Sequence, residues 1–181
     1  MENPSDRSLV LRTKRGELEA YGDLVRRYQG SVFNVCYRML GDPHDAEDLT
    51  QETFIRVHSR LDSFDFDRPF IPWARRIAVN LCLNYINRNR RYVLPLDDEF
   101  EPPVSKERSP ERAQEDRERK ALLRQAICLL PAHYRAVIEL RHFQELSYLE
   151  ISKALNIPLS DVKSHLFRAR KYLAQRLTKD V

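Results

Sequence analysis

Apolar residues recur at three- and four-residue intervals along most of this chain, and no stretch shows sustained strand alternation. The periodic stretches predict helices at about 16–29, 30–40, 43–60 and 71–91, and again at about 111–129, 131–143, 147–155 and 160–177. Between the two sets lies PLDDEFEPPVSKERSPERAQEDRERK, residues 95–120, which is poor in large apolar side chains and holds four of the ten prolines. It reads as a linker, extended at first and helical from about Pro110. The expected fold class is therefore all-α: an N-terminal helical domain (1–94), an acidic flexible linker (95–120), and a C-terminal helical domain (121–181). No internal repeat is evident.

Charge sharpens this division. Residues 1–94 carry 15 Lys and Arg against 13 Asp and Glu, residues 95–120 carry 6 against 9, and residues 121–181 carry 10 against 5. The net charge is +4, a mild bias toward anionic partners that is concentrated in the C-terminal part. Cys36, Cys82 and Cys128 are far apart and form no CxxC or CxxH spacing, so a zinc site is not expected, and an odd count fits a reducing cytosol. The first residues lack an apolar core of export length, and no run approaches a membrane span. A cytoplasmic protein is expected.

Against this basic background GDPHDAEDLTQETFIRV, Gly41–Val57, is acidic. Asp42-Pro43 is a helix start, with Asp at the N-cap and Pro in the first turn. At about 100° per residue, Ala46, Leu49, Thr53, Phe54 and Val57 share an inward face. Asp45, Glu47, Asp48, Gln51 and Glu52 lie opposite, with Ile55 in their midst. Three readings are open: a solvated face favoured by the helix dipole, a docking surface with an apolar anchor ringed by carboxylates, or a metal cluster of Asp45, Asp48 and Glu52. No His joins that face in helical register.

The next segment, RLDSFDFDRPFIPWARRIAVNLCLNYINRNRR (60–91), is an aromatic loop leading into a helix. Ala74, Ile77, Ala78, Leu81 and Tyr85 form its inward face, while Arg76, Asn80, Asn84, Asn87 and Arg91 form a polar one. Val79 and Leu83 fall outside that apolar arc, which implies a further helix covering them. Asn is a mediocre helix former, but its amide pairs with base edges, and Arg neutralises phosphate. The polar face therefore reads either as hydrophilic exterior or as a nucleic-acid surface, with loop aromatics available to stack on unpaired bases.

RHFQELSYLEISKALNIPLSDVKSHLFRARKYLAQRL, 141–177, carries the strongest local pattern. Ser147-x-x-Glu150 is a capping box. Asn156 suits a left-handed helix stop, Ile157-Pro158 makes a turn, and Ser160 is placed to cap the next helix. Val162, Leu166, Ala169 and Leu173 repeat at intervals of four, three and four, leaving Ser160, Asp161, Lys163, Ser164, Phe167, Arg168 and Lys171 outward. This is a helix-turn-helix whose second helix suits the major groove.

With these motifs in order around an acidic linker, the chain resembles bacterial sigma factors of the extracytoplasmic-function (ECF) group, over roughly Glu17–Arg91 and Ala121–Leu177. The resemblance implies an alternative sigma factor, with no catalysis and no cofactor, that brings core RNA polymerase to specific promoters. Asp45, Asp48, Gln51 and Glu52 would contact polymerase, with Ile55 as anchor on the helical-wheel argument. Phe64 and Asn80 would line a pocket for a non-template base of the −10 element, supported by Arg75, Arg76, Asn84, Asn87 and Arg88. Ser160, Asp161, Lys163, Ser164, His165 and Arg168 would read the −35 element. Ser160-Asp161 stands where the family often has a small residue and Thr, and His165 where it often has Arg, which shifts the expected −35 sequence. The resemblance also implies an anti-sigma partner and no small-molecule substrate.

Two other functions compete. A stand-alone helix-turn-helix regulator would leave the Asn face and the acidic helix without a task. A small metal-dependent hydrolase would need a nucleophile motif or a phosphate loop, and neither is present. The three cysteines read as buried structural thiols rather than redox sensors.

Overall fold

A computed structural model describes residues 4–89 and 110–177, and the linker residues 90–109 and Arg91 of the polar face lie outside the described part. Among the described residues every regular element is helical: α1 (Asp6–Lys14), α2 (Leu18–Leu40), α3 (Pro43–Ser59), a 3-10 turn (Leu61–Ser63), α4 (Phe70–Arg88), α5 (Pro110–Cys128), α6 (Ala132–Ile138), a π-helical turn (Glu139–Phe143), α7 (Tyr148–Leu155) and α8 (Leu159–Leu177). The expected break at residue 30 is absent, because Gly30 sits inside one helix of 23 residues. One glycine costs helix propensity only about 1 kcal/mol, and the buried stripe Leu24, Val32, Val35, Cys36, Met39 continues through it. The first helix, α1, has no counterpart in the sequence expectation. Asp6 secures it, accepting from Arg27 Nη1 at 2.6 Å and from the Tyr28 hydroxyl at 2.5 Å.

The α2–α3 corner sets the N-terminal bundle. Gly41 closes α2 at φ +79°, and Asp42 caps α3 by accepting from the Asp45 N–H at 2.9 Å, with Pro43 next. The inward face of α3 is as expected: Ala46, Leu49, Thr53, Phe54 and Val57 are all buried. Thr50 and Thr53 bury their hydroxyls without loss by donating to the Ala46 and Leu49 carbonyls, both at 2.6 Å. α4 packs on α2 and α3 and also touches α6. That further helical cover accounts for the burial of Val79 and Leu83.

One apolar core runs from α2, α3 and α4 into α6, α7 and α8, so the two halves share an interior. Two buried charges mark the joint. Arg135, 3% exposed, donates to the carbonyls of Met39, Cys128 and Leu130, at the C-terminal ends of α2 and α5. A cation there opposes the negative pole of each helix. Glu139, 2% exposed, is gripped by Arg38 of α2 through two bonds, Nε to Oε2 at 2.7 Å and Nη2 to Oε1 at 2.9 Å. Cys36 and Cys82 are fully buried, and their mutual hydrogen bond pushes the Cys82 thiol up ahead of burial. Cys128 is half-buried, with its Sγ against Gly41.

Gly41→Ala is expected to destabilise the protein by roughly 1–2 kcal/mol, the usual cost of a left-handed L-residue. Its Cβ would also stand 3.0 Å from Cys128 Sγ. A urea unfolding curve that superimposes on wild type would contradict this reading of the corner.

Candidate nucleic-acid and partner interfaces

The acidic face of α3 is solvent-facing around an apolar centre. Ile55 is 62% exposed, and Asp48 and Gln51 stand out into solvent beside it. Glu52 is partly covered and pairs with Arg56 at 2.7 Å, so its charge is shared along the helix. Asp45 departs from this group: its carboxylate turns to α4 and accepts from the Tyr85 hydroxyl at 2.8 Å. Among the described residues no cluster of three His, Cys, Asp or Glu is arranged to hold a metal.

The second surface is an open groove of about 700 Å³ between α3, α4 and the end of α7. Arg76, Asn80, Asn84 and Arg88 of α4 line it, as the helical register predicts. The structure adds Trp73, Arg56, Arg60 and Lys153, which sequence reasoning did not assign to it. Arg56 and Arg60 follow at the basic end of α3, four residues apart, and that i,i+4 spacing was the available signal. Burial lowers the pKa of Arg76, with Arg68 nearby acting in the same direction. A guanidinium remains charged under such shifts, so it presents a partly desolvated cation suited to phosphate. Asn87 is exposed beside the groove.

Two expected groove residues lie elsewhere. Phe64 is 7% exposed, its ring 5.0 Å from Trp73, 5.5 Å from Phe66 and 5.8 Å from Phe70. It is a core residue, because the Phe-Asp repeat of the loop folds its first ring inward. Phe66 is the ring left half-open, with Lys14 5.1 Å and Arg7 5.5 Å from its centroid. Arg75 points to the other side of α4, where Nε and Nη2 both donate to Ser31 Oγ, at 2.9 and 2.5 Å. Its residue number is one step, about 100°, from Arg76, which takes it off the polar face.

The third surface is α8. The capping box is formed: the Ser147 N–H donates to Glu150 Oε2 at 2.8 Å and the Glu150 N–H to Ser147 Oγ at 3.3 Å. The Ser147 hydroxyl, donating to Glu150 Oε2 at 2.7 Å, and then the Ser147 N–H hold the Glu150 carboxyl below its ordinary pKa. Asn156 takes the left-handed conformation, φ 52° and ψ 48°. Val162, Leu166 and Ala169 are buried. Ser160 does not cap α8, which already begins at Leu159. Its hydroxyl donates instead to Asp161 Oδ1 at 3.3 Å. Asp161, Lys163 and Arg168 are exposed along one outer surface with Phe167, and Ser164 is half-buried beside them. His165 is turned partly inward against Tyr134 and His133, with ring centroids 5.2 and 6.1 Å away and its Nδ1 buried without a partner.

Comparison with known proteins follows this geometry. Residues 24–92 match the Sigma-70 region 2 family model, and residues 120–173 match Sigma-70 region 4. The ECF RNA polymerase sigma factor SigW of Bacillus subtilis is 38% identical over 93% of this chain and 94% of its own. The protein is an ECF sigma factor. The RNA polymerase sigma-H factor of Pseudomonas aeruginosa is 35% identical over 95% of this sigma factor and 93% of its own length. Among solved structures, CnrH in complex with the cytosolic domain of CnrY superposes with a TM-score of 0.64 at 28% identity, covering 97% of this sigma factor and 99% of CnrH. The match sets aside the stand-alone regulator. The sigma factor is thus an alternative transcription initiation factor, and no helix among its described residues is long and apolar enough to cross a membrane.

Burial, then the nearby His133, depresses the His165 pKa, so the folded sigma factor favours the neutral imidazole. Asp161 opposes this shift and Arg168 adds to it. A depressed histidine contributes stability above its unfolded pKa of about 6.5, and that contribution is lost as pH falls through the folded value. His142 shifts in the same direction through burial. His165→Gln is therefore expected to flatten, without abolishing, the loss of stability as the pH falls below about 6.5. Parallel pH–stability curves for variant and wild type would contradict it.

Proposed function

We propose that the three surfaces divide the work of initiation. The α3 face, with Asp48, Gln51 and Glu52 around Ile55, docks on a basic helix of core RNA polymerase. The α4 groove holds the melted non-template strand of the −10 element. Asn80, Asn84 and Asn87 meet base edges, Arg76 and Arg88 meet phosphates, and Trp73 supplies a stacking face. α8 enters the major groove at the −35 element, with Ser160, Asp161, Lys163, Ser164 and Arg168 outward. His165 acts there mainly by fixing the helix against α6, which departs from a direct base contact. Asp45 supports the polymerase surface by tying α3 to α4. The two halves act as separate readers joined by residues of the linker, which raises the local concentration of each once the other is bound.

In this reading the sigma factor catalyses nothing itself and works in the cytoplasm, where polymerase and chromosome are. Its regulator is an anti-sigma protein that competes for the polymerase and promoter surfaces. CnrH, whose fold and sequence resemble it, was solved bound to the cytosolic domain of another protein.

Ile55, 62% exposed among carboxylates, carries the polymerase assignment. Gel filtration with bacterial core RNA polymerase tests it. Wild type co-elutes, and Asp48→Arg/Glu52→Arg, with unchanged helicity, loses at least about ten-fold in affinity, or ~1.4 kcal/mol. Co-elution of that variant at wild-type strength would remove α3 as the dock.

A further inference from the structure

The division of work set out above leaves α1 without a task, and α1 ends before residue 24, where the region 2 match begins. Its inner face is Leu9, Val10 and Thr13, all buried. Arg7 and Lys14 are exposed about two turns apart, with Leu11, 39% exposed, between them in sequence. Both cations converge on one ring of the loop before α4. The Lys14 ammonium is 5.1 Å and the Arg7 guanidinium 5.5 Å from the centroid of Phe66. Phe64 and Phe70 of the same loop are core rings, whereas Phe66 is half-open.

Two like charges drawn to a single ring repel each other. The attraction of each to the ring is weak where water reaches it. Negative charge brought to both relieves the repulsion and keeps the ring contacts. The neighbouring carboxylates are largely committed elsewhere. Asp6 is taken by Arg27 at 2.6 Å, Glu17 by Arg12 at 2.8 Å and Asp65 by Arg68 at 3.3 Å. Asp62 comes only within 3.9 Å of Lys14, with its side chain 99% exposed.

A chain of aromatic contacts joins this place to the α4 groove. Trp73, which lines the groove, is 5.0 Å from Phe64, and Phe64 is 5.5 Å from Phe66. A strand with a base on Trp73 reaches Phe66 within a few nucleotides, at ~3.4 Å per stacked nucleotide. Arg60, a groove cation, immediately precedes the 3-10 turn on which α1 packs, so positive charge is continuous along the way. An open ring between two cations is the combination that holds single-stranded nucleic acid without regard to sequence.

We propose that Phe66, Arg7 and Lys14 form a second single-strand subsite, in which a base of the strand leaving the α4 groove packs on Phe66 and the phosphates on either side of it meet Arg7 and Lys14. The proposal rests on the assignment of the α4 groove to the non-template strand.

Holoenzyme assembled from core RNA polymerase and the full-length sigma factor tests it. The readout is fluorescence anisotropy with a labelled random-sequence single-stranded DNA of about 20 nucleotides, titrated across a salt series. Arg7→Gln/Lys14→Gln weakens binding about ten-fold and lowers the log–log salt slope by ~1.4, because each phosphate contact on a single strand contributes about 0.7. Phe66→Leu weakens binding roughly five-fold through lost stacking and leaves the slope at the wild-type value. Arg26→Gln removes an exposed α2 cation that Asp23 holds at 2.6 Å, and it changes neither quantity. Wild-type affinity and slope in Arg7→Gln/Lys14→Gln, with intact helicity, overturn the subsite. Equal losses in that variant and in Arg26→Gln reduce it to diffuse attraction and overturn it as well. Arg76→Gln/Arg88→Gln reports separately on the α4 groove. Loss there beside an unaffected Arg7→Gln/Lys14→Gln removes the subsite alone, whereas wild-type binding in the groove variant removes the assignment on which the subsite rests.

Discussion

Everything in this molecule is arranged around two opposite charges buried four residues apart. Arg135 closes the carbonyl ends of α2 and α5, and Glu139 receives Arg38 from α2. Neither is tolerable in an apolar interior alone, since an unpaired buried charge costs several kcal/mol. Together they require that α2 of the first half and α5–α6 of the second meet in one register. The shared core then fills in around them, from Val32 and Met39 to Ile151 and Leu166. The position of α7 over the α4 groove follows from that register.

The same logic separates what is fixed from what is offered. α3 buries one face and leaves the apolar Ile55 exposed on the other. α4 is packed by α2, α3 and α6, which leaves a strip from Trp73 to Arg88 open to a partner. α8 rests on α6 and α7 through Val162, Leu166 and Ala169, and presents its opposite side. Each functional surface is the remainder of a packing problem solved on the other side of its helix. That is why rigid elements rather than loops carry the assigned residues.

Much of this was legible from spacing alone. Helical period placed the buried face of α3, the polar strip of α4 and the inward positions of α8, because each has enough apolar residues to define a stripe. The capping box and Asn156 were equally readable, being local chemistry. The failures share a cause in tertiary contacts. Phe64 was expected at a base pocket, but its burial depends on Phe70 and Trp73 folding back over the loop. Arg75 was expected near DNA, but Ser31 on a helix 44 residues away holds it. α1 escaped notice because Asp6 is satisfied by Arg27 and Tyr28, partners remote in sequence. The joint between the halves was invisible for the same reason: Arg38 and Glu139 are 101 residues apart.

The central claim is that one chain reads promoter DNA with two separate modules while seated on polymerase. It is tested most directly by selecting active promoters from a randomised DNA library, using in vitro transcription with core polymerase and this sigma factor. The account predicts two enriched blocks about 25 base pairs apart. Lys163→Ala/Arg168→Ala would relax only the upstream block, and Asn84→Ala only the downstream one, each by about 1–3 kcal/mol of discrimination. A single enriched block, or two blocks that both change with either variant, would contradict it.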